Sequence, residues 1–317
     1  MHERPPDIRD SDVAAALDRQ WPLSVQELSY LPVGFGGYHW FAVDHSGSRW
    51  FVTVSDLAAP WVPDLQAAMQ TAAWLAGETG LEFVVAPVPT TEGLVVGSLN
   101  SRHALTLFPY LDAAPSHFDD PIDGGERDAI IDMLATLHAA APTGMQVPTR
   151  PLELANRQIV EQALASLDVP WNGGPYSEPG RELLARYERP LRQALERFDR
   201  LLALVKEAGG PYVVTHGEPH PGNLLRTSAG LRLVDWDMIA LARPERDLWR
   251  VISGDQDATR YSRRTGWAVN QDALALYRLR WSLDDIAEFL SEIRGPHLET
   301  ADTLVSWTVL QETLAAI

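Results

Sequence analysis

The segment Thr215-His216-Gly217-Glu218-Pro219-His220-Pro221-Gly222-Asn223 sets two histidines, a carboxylate and an amide among two prolines and two glycines. Proline fixes φ and removes a backbone donor, and glycine loosens the chain, so the stretch cannot be a helix. Tyr212-Val213-Val214 precedes it and Leu224-Leu225 follows. The polar cluster therefore reads as a loop leaving a buried strand, where scaffolds tend to present chemistry. The continuation, LLRTSAGLRLVDWD, folds as a hairpin around the turn Thr227 to Leu231. Pairing residue 224 with 234 and 226 with 232 puts Asn223 directly opposite Asp235, with Glu218 a short loop away. Hard oxygen ligands gathered in this way suit magnesium, which leaves positions for phosphate and water. A separate carboxylate can orient or deprotonate an alcohol. The chemistry these residues can support is phosphoryl transfer. Zinc is the poorer reading of His216, Glu218 and His220. A metalloprotease pair needs one turn of helix, which Gly217, Pro219 and Pro221 forbid.

The elements that must carry this loop fall into two styles. The first 110 residues are strand-rich. Ser11 or Asp12 caps a short helix through Leu17. Val25–Val33, Tyr38–Val43, Trp50–Val54, Leu94–Val96 and Ala104–Phe108 have the aromatic and β-branched content of strands. Residues 63–76 show helical spacing, with Leu65, Ala68, Met69, Ala72 and Leu75 on one face. Beyond residue 111 the chain reads as long helices: Glu126–Ala141, Leu152–Leu167, Glu182–Ala208 kinked or broken at Pro190, and a helical last sixty residues ending in Leu298–Ala316. The fold class expected is α+β and two-lobed, a small antiparallel sheet beside a larger helical lobe. The lobes run over 1–108 and 112–317, with residues 109–111 as the joint. His138 sits on a helix face and reads as a satisfied core histidine. The tryptophans are mainly packing residues, although Trp236 beside Asp235, and Trp281 near Asp284 and Asp285, would suit a cationic ligand.

The 317 residues are 45% apolar, which is ordinary for a globular protein. No apolar run reaches the length of a membrane span. The opening MHERPPDIRD lacks the apolar core of a secretory signal. There are no cysteines, which excludes disulfides and thiolate chemistry. A cytoplasmic location is expected. The net charge of −17, with Lys206 as the one lysine, repels nucleic acid and anionic lipid and draws cations toward any cleft it lines.

THGEPHPGN followed by LVDWDMIALARPERDLW resembles the aminoglycoside phosphotransferase family, which has the protein-kinase-like fold. WFVTV, LFPY and YRLRWSLDDIAEFL extend the resemblance over nearly the whole chain. It implies Glu218 as catalytic base and Asn223 and Asp235 as magnesium ligands, the three forming the catalytic set. It also implies His216 as a buttress of the loop and Asp247 as its structural anchor. Pro109, Tyr110 and Leu111 become the adenine-contacting joint. Gly34, Gly36 and Gly37 of GFGGYHW lie between two strands, where backbone amides can approach phosphates. Two positions depart from the family pattern. Glu218 stands where the family carries aspartate, moving the carboxylate outward by roughly 1 Å. Thr53 occupies the strand position of the phosphate-holding lysine, and the following helix offers only Gln66 and Gln70 where the lysine's glutamate partner belongs. Arg49, Arg102 and His39 are open as substitutes, and spacing does not choose among them.

The function expected is transfer of the γ-phosphate of ATP or GTP, with Mg2+, to a hydroxyl of a small molecule. The acceptor expected is an antibiotic, such as a cationic or polyhydroxylated aminoglycoside or aminocyclitol, with neither nucleic acid nor membrane as partner. Three alternatives stay open: a kinase of choline, homoserine or a sugar; nucleotidyl transfer; and a kinase-like nucleotide-binding protein without activity, which the loss at Thr53 motivates.

Overall fold

The computed structural model describes residues 1–34, 36–58, 64–114 and 116–317. Phe35 of the glycine turn and Pro63, the first residue expected in the second helix, lie outside the described residues. The chain forms two compact units, Met1–Arg150 with Pro211–Ala268, and Pro151–Gly210 with Val269–Ile317. The lobe joint expected at 109–111 falls inside the first of these.

The first unit opens with helix α1 (Asp10–Gln20). Neither Ser11 nor Asp12 caps it: the N-cap is Arg9, with no side-chain cap, and Asp10 instead accepts the Trp40 indole N–H at 2.8 Å. Strands β1 (Val25–Leu31), β2 (Tyr38–Asp44) and β3 (Arg49–Asp56) follow, then helix α2 (Leu65–Gly77), and strands β4 (Gly97–Ser98) and β5 (His103–Pro109). They make one antiparallel sheet in the order β1-β2-β3-β5-β4. The strand expected at Leu94–Val96 is displaced to β4. Thr90 and Leu94 close a turn of their own, through Thr90 N to Leu94 O at 2.7 Å and Leu94 N to Thr90 Oγ1 at 3.1 Å, and pairing with β5 begins only after it.

Side chains alternate across a strand, which gives the sheet two different faces. Trp40, Ala42, Val52, Val54, Leu105 and Leu107 turn to one side and form a core with Val13, Ala16, Leu17 and Trp21 of the α1 region. The intervening positions, His39 and Phe41 on β2 and Phe51 and Thr53 on β3, make the other face.

The same unit continues with helix α3 (Gly124–His138), strands β6 (Val213–Thr215), β7 (Leu224–Thr227), β8 (Gly230–Leu233) and β9 (Ala240–Ala242), and helices α6 (Glu245–Leu248) and α7 (Asp255–Thr265). Helix α3 starts at a side-chain cap, Asp123 accepting from Glu126 N at 2.8 Å, and packs against α7. β6 pairs with β9, and β7 with β8. The hairpin is tied to the segment before the large sheet's last strands: Leu233 N donates to Phe83 O at 2.7 Å and Val85 N to Leu233 O at 3.1 Å.

The β7–β8 register corrects the expected one by a residue. Leu224 pairs with Leu233, Leu225 with Arg232, Arg226 with Leu231 and Thr227 with Gly230. The turn is tighter than the sequence suggests because Thr227 Oγ1 donates to Gly230 O at 2.8 Å and Gly230 takes φ 103°, open to glycine alone at low cost. Asn223 therefore faces Val234, whose N–H donates to Asn223 O at 3.0 Å.

The second unit is helical: α4 (Arg157–Ala165), α5 (Ser177–Ala208), α8 (Gln271–Arg294) and α9 (Ala301–Ala316), with α8 packed against the other three or their neighbours. Helix α5 runs through Pro190 without a break, which leaves the kink of the two outcomes expected there. The apolar stripe Leu183, Leu184, Leu191, Ala194, Leu195 and Phe198 is buried along both halves, so tertiary packing overrides the missing hydrogen bond.

Gly230→Ala is expected to lower stability by about 1–2 kcal/mol through φ alone, since a Cβ there meets no atom within 4 Å. Urea unfolding of the variant measures it; an unchanged midpoint would show that the turn relaxes to another register.

Candidate active site

The loop after β6 is held from below by one buried carboxylate. Asp247, on α6, accepts from the amides of His216 at 2.8 Å and Gly217 at 2.7 Å, and meets His138 Nε2 at 3.1 Å. His138 in turn bonds Tyr261 Oη at 2.7 Å. Burial would push the Asp247 carboxyl up, but the His138 hydrogen bond and the charges around it hold its pKa below the usual value. Asp247 thus stays ionised in the interior because donors surround it.

His216 spans from the loop to the hairpin. Glu218 N donates to its Nδ1 at 3.1 Å, so the proton sits on Nε2, which donates to Val234 O at 2.9 Å. Burial lowers the His216 pKa to about 4, against the raising influence of Asp247 and the Val234 carbonyl. The neutral ring fixes Glu218 on one side and the residue before Asp235 on the other. Gly217 is required twice over. Its φ is 105°, and a Cβ would lie 2.3 Å from Arg246 Nη2, whose guanidinium is itself fixed to Thr215 Oγ1 and Met238 O.

A one-turn 3₁₀ segment, Pro221–Asn223, then brings Asn223 back under Glu218. Asn223 Nδ2 donates to Glu218 O at 3.0 Å and approaches His220 Nε2 at 3.2 Å. With the nitrogen so committed, Oδ1 is the atom Asn223 can offer a cation. Asp235 follows Val234 with φ 67°, the one described non-glycine residue in the left-handed region. Glu218 and Asp235 are close enough for their charges to repel: crowding by protein, then Asp237 and Glu218, raises the Asp235 pKa well above the ordinary carboxylate value. Solvent reaches Asp235 all the same, so it occupies a recess and not a dry core. Burial also raises the Asp237 pKa, tempered by Arg150 and Arg246. Asp235, repelled by Asp237 and Glu218, lies beside the Asn223 amide oxygen; no three acidic or histidine side chains among the described residues gather as a metal cage, so one carboxylate and one amide oxygen make the hard-oxygen set and leave positions for phosphate and water. The residues fit magnesium.

Glu218, Asn223 and Asp235 are therefore brought together. Gly34, Gly37 and Thr53 form a second group around His39 on the open face of the sheet. Gly36 takes φ 82° in the same turn. Pro109 ends β5 opposite Trp50, and Tyr110 continues it, donating its N–H to Arg49 O at 3.0 Å and meeting Phe41 edge-on. Leu111 follows outside any element. The parts played by Asp237 and Arg246 were not legible in the sequence. Arg246 and Asp247 are adjacent in PERDLW, a charged pair just after a buried strand, and that adjacency was the available signal.

Residues 27–289 match the phosphotransferase enzyme family. The chain belongs to that family. It is 30% identical to Protein StrN of Streptomyces griseus over 249 residues, covering 76% of this chain and 74% of that protein. Its fold is that of the spectinomycin phosphotransferase APH(9)-Ia, solved with ADP and spectinomycin, at TM-score 0.72 and 18% identity over 96% of this chain and 94% of that one. The amicoumacin kinase hAmiN, solved with AMP-PNP, Ca2+ and its antibiotic, gives TM-score 0.58 and 12% identity over 98% and 94%. The family and the protein-kinase-like fold make the chain an enzyme that transfers phosphate to small molecules. No helix among the described residues is long and apolar enough to cross a membrane.

His216 binds fewer protons folded than unfolded between about pH 4 and its unperturbed value of about 6.5. Stability should therefore fall as pH is lowered through that window, by up to about 3 kcal/mol from this residue. Unfolding free energies at pH 7, 6 and 5 for wild type and His216→Asn check the sign: the variant is less stable at pH 7 and shows a shallower slope. Equal slopes would contradict a neutral buried ring.

Proposed function

We propose that the protein moves the γ-phosphate of ATP or GTP to a hydroxyl of a small, cationic or polyhydroxylated acceptor, an antibiotic of the aminocyclitol kind above all. The observation that carries this is the meeting of Glu218, Asn223 and Asp235 on one loop and one hairpin end, through the bond from Asn223 Nδ2 to Glu218 O and the repulsion between Asp235 and Glu218. Glu218 accepts or orients the acceptor's hydroxyl proton, so that the oxygen is nucleophilic as it meets phosphorus. Asn223 Oδ1 and the Asp235 carboxylate would hold Mg2+, which would supply neutralisation of the charge developing on the phosphates. Gly34, Gly36 and Gly37 cover the triphosphate, and Pro109, Tyr110 and Leu111 line the nucleotide base. The lobe division at 109–111 belongs to this reading.

A cationic acceptor is supported by charge. The formal net charge is −17, and helix α8 carries Asp284, Asp285, Glu288 and Glu292. Burial and then repulsion from Glu292 and Asp284 raise Glu288 to about 7, a strain that a nearby ammonium would relieve. The structures of a spectinomycin phosphotransferase and an amicoumacin kinase point the same way.

A second reading, nucleotide binding without turnover, is favoured by Thr53. Gln66 and Gln70, where the glutamate partner belongs, are exposed on α2. Magnesium-dependent nucleotide binding with no product across an acceptor panel would establish it.

The test is mass spectrometry of aminocyclitols, macrolides and amino alcohols incubated with enzyme and Mg-ATP or Mg-GTP, where phosphorylation adds about 80 Da. Glu218→Ala is expected to lower kcat by about 10²–10⁴-fold and leave the nucleotide Kd within about twofold. A kcat within about tenfold of wild type would remove Glu218 from the base role.

A further inference from the structure

The structure separates the three residues that spacing left open as substitutes for the missing lysine. Arg49 is paired with Asp112 through both guanidinium nitrogens, and Arg102 is paired with Asp56. Lys206 is bound to Glu153 in the helical unit. His39 differs from all of these. It lies directly across the β2–β3 ladder from Thr53, and its Nδ1 is 3.2 Å from Thr53 Oγ1. The ring extends from there under the glycine turn. A Cβ on Gly34 would lie 3.1 Å from His39 Nε2, and one on Gly37 3.3 Å from Cε1. Phe51 supports the ring from the neighbouring strand, with centroids 4.9 Å apart. Thr53, His39 and two glycines thus form one built cluster on the open face of the sheet.

We propose that His39, held by Thr53 beneath the glycine turn, is the donor this chain offers to the phosphates of its nucleotide in place of the family's strand lysine. The proposal rests on the nucleotide-dependent reading above. When Thr53 Oγ1 donates to Nδ1, the proton is on Nε2, the edge that faces the turn. Polyphosphate oxygens lying below the turn would accept it. Burial, and then the charge of the Met1 ammonium, which donates to Gly34 O at 2.8 Å and Gly37 O at 3.2 Å, lowers the His39 pKa to about 3, so the ring is a neutral donor. This explains why the exchange is coherent. A lysine here would need a standing carboxylate partner, whereas a neutral imidazole needs none and offers its N–H to the phosphates when nucleotide arrives.

The test is calorimetry of AMP-PNP and adenosine, with GMP-PNP and guanosine as the parallel pair, in the presence of Mg2+. His39→Ala is expected to weaken the triphosphate analogue by about tenfold or more and the nucleoside by less than about twofold. His39→Gln, which keeps a donor of similar reach, recovers most of the loss. Equal affinity for the analogue, or an equal loss for analogue and nucleoside, would overturn the proposal. Should the alanine variant fail to fold, ¹⁵N spectra of histidine-labelled wild type decide the matter: the His39 Nε2 signal moves when Mg-AMP-PNP or Mg-GMP-PNP is added, and a fixed signal overturns the proposal. A wild type that binds neither analogue would defeat the nucleotide-dependent reading itself.

Discussion

A carboxylate sealed in the interior is unstable unless donors surround it, and Asp247 satisfies that condition with the amides of His216 and Gly217 and the ring of His138. The constraint acts in both directions. The charge needs the loop in one conformation, and the loop's two amides would lose their acceptor without the charge. Each orphaned amide would cost about 1–3 kcal/mol, a large share of the margin by which a domain is folded. The conformation imposed on residues 216 and 217 is then passed outward to the groups that meet solvent.

Two short relays carry it. His216 connects Glu218 N to Val234 O, which ties the loop to the hairpin residue just before Asp235. Asn223 connects its own amide to Glu218 O and its carbonyl to Val234 N. Glu218, Asn223 and Asp235 are therefore placed by hydrogen bonds to backbone atoms, which do not depend on the length of the Glu218 side chain. Their placement would be the same with an aspartate at position 218. The repulsion of Asp235 by Asp237 and Glu218 remains, and with burial it keeps the Asp235 pKa well above the ordinary carboxylate value.

Much of this was legible in the sequence. Gly217, Pro219 and Pro221 exclude a helix, and the apolar runs on either side identify a loop on a strand. The hairpin register was not legible to the residue, because the Thr227 hydroxyl closes a tighter turn than composition suggests. The slip sets Val234 rather than Asp235 opposite Asn223, and Asp235 follows beyond the paired strand with a left-handed φ of 67°. Long-range partners were invisible for a different reason. Nothing local to His138 announces a bond to a carboxylate on a helix more than a hundred residues later, and it reads as an ordinary core histidine. In the sheet, Thr53 announced a loss, but the ring of His39 against it required the cross-strand register.

The central claim is that Asp247 fixes the loop that carries Glu218 and Asn223. Amide hydrogen exchange at His216 and Gly217, in wild type and Asp247→Ala, tests it most directly. The predicted result is strong protection of both amides in wild type, lost in the variant together with phosphotransfer, while the β6–β9 amides stay protected. Unchanged protection of His216 and Gly217 in the variant would contradict it.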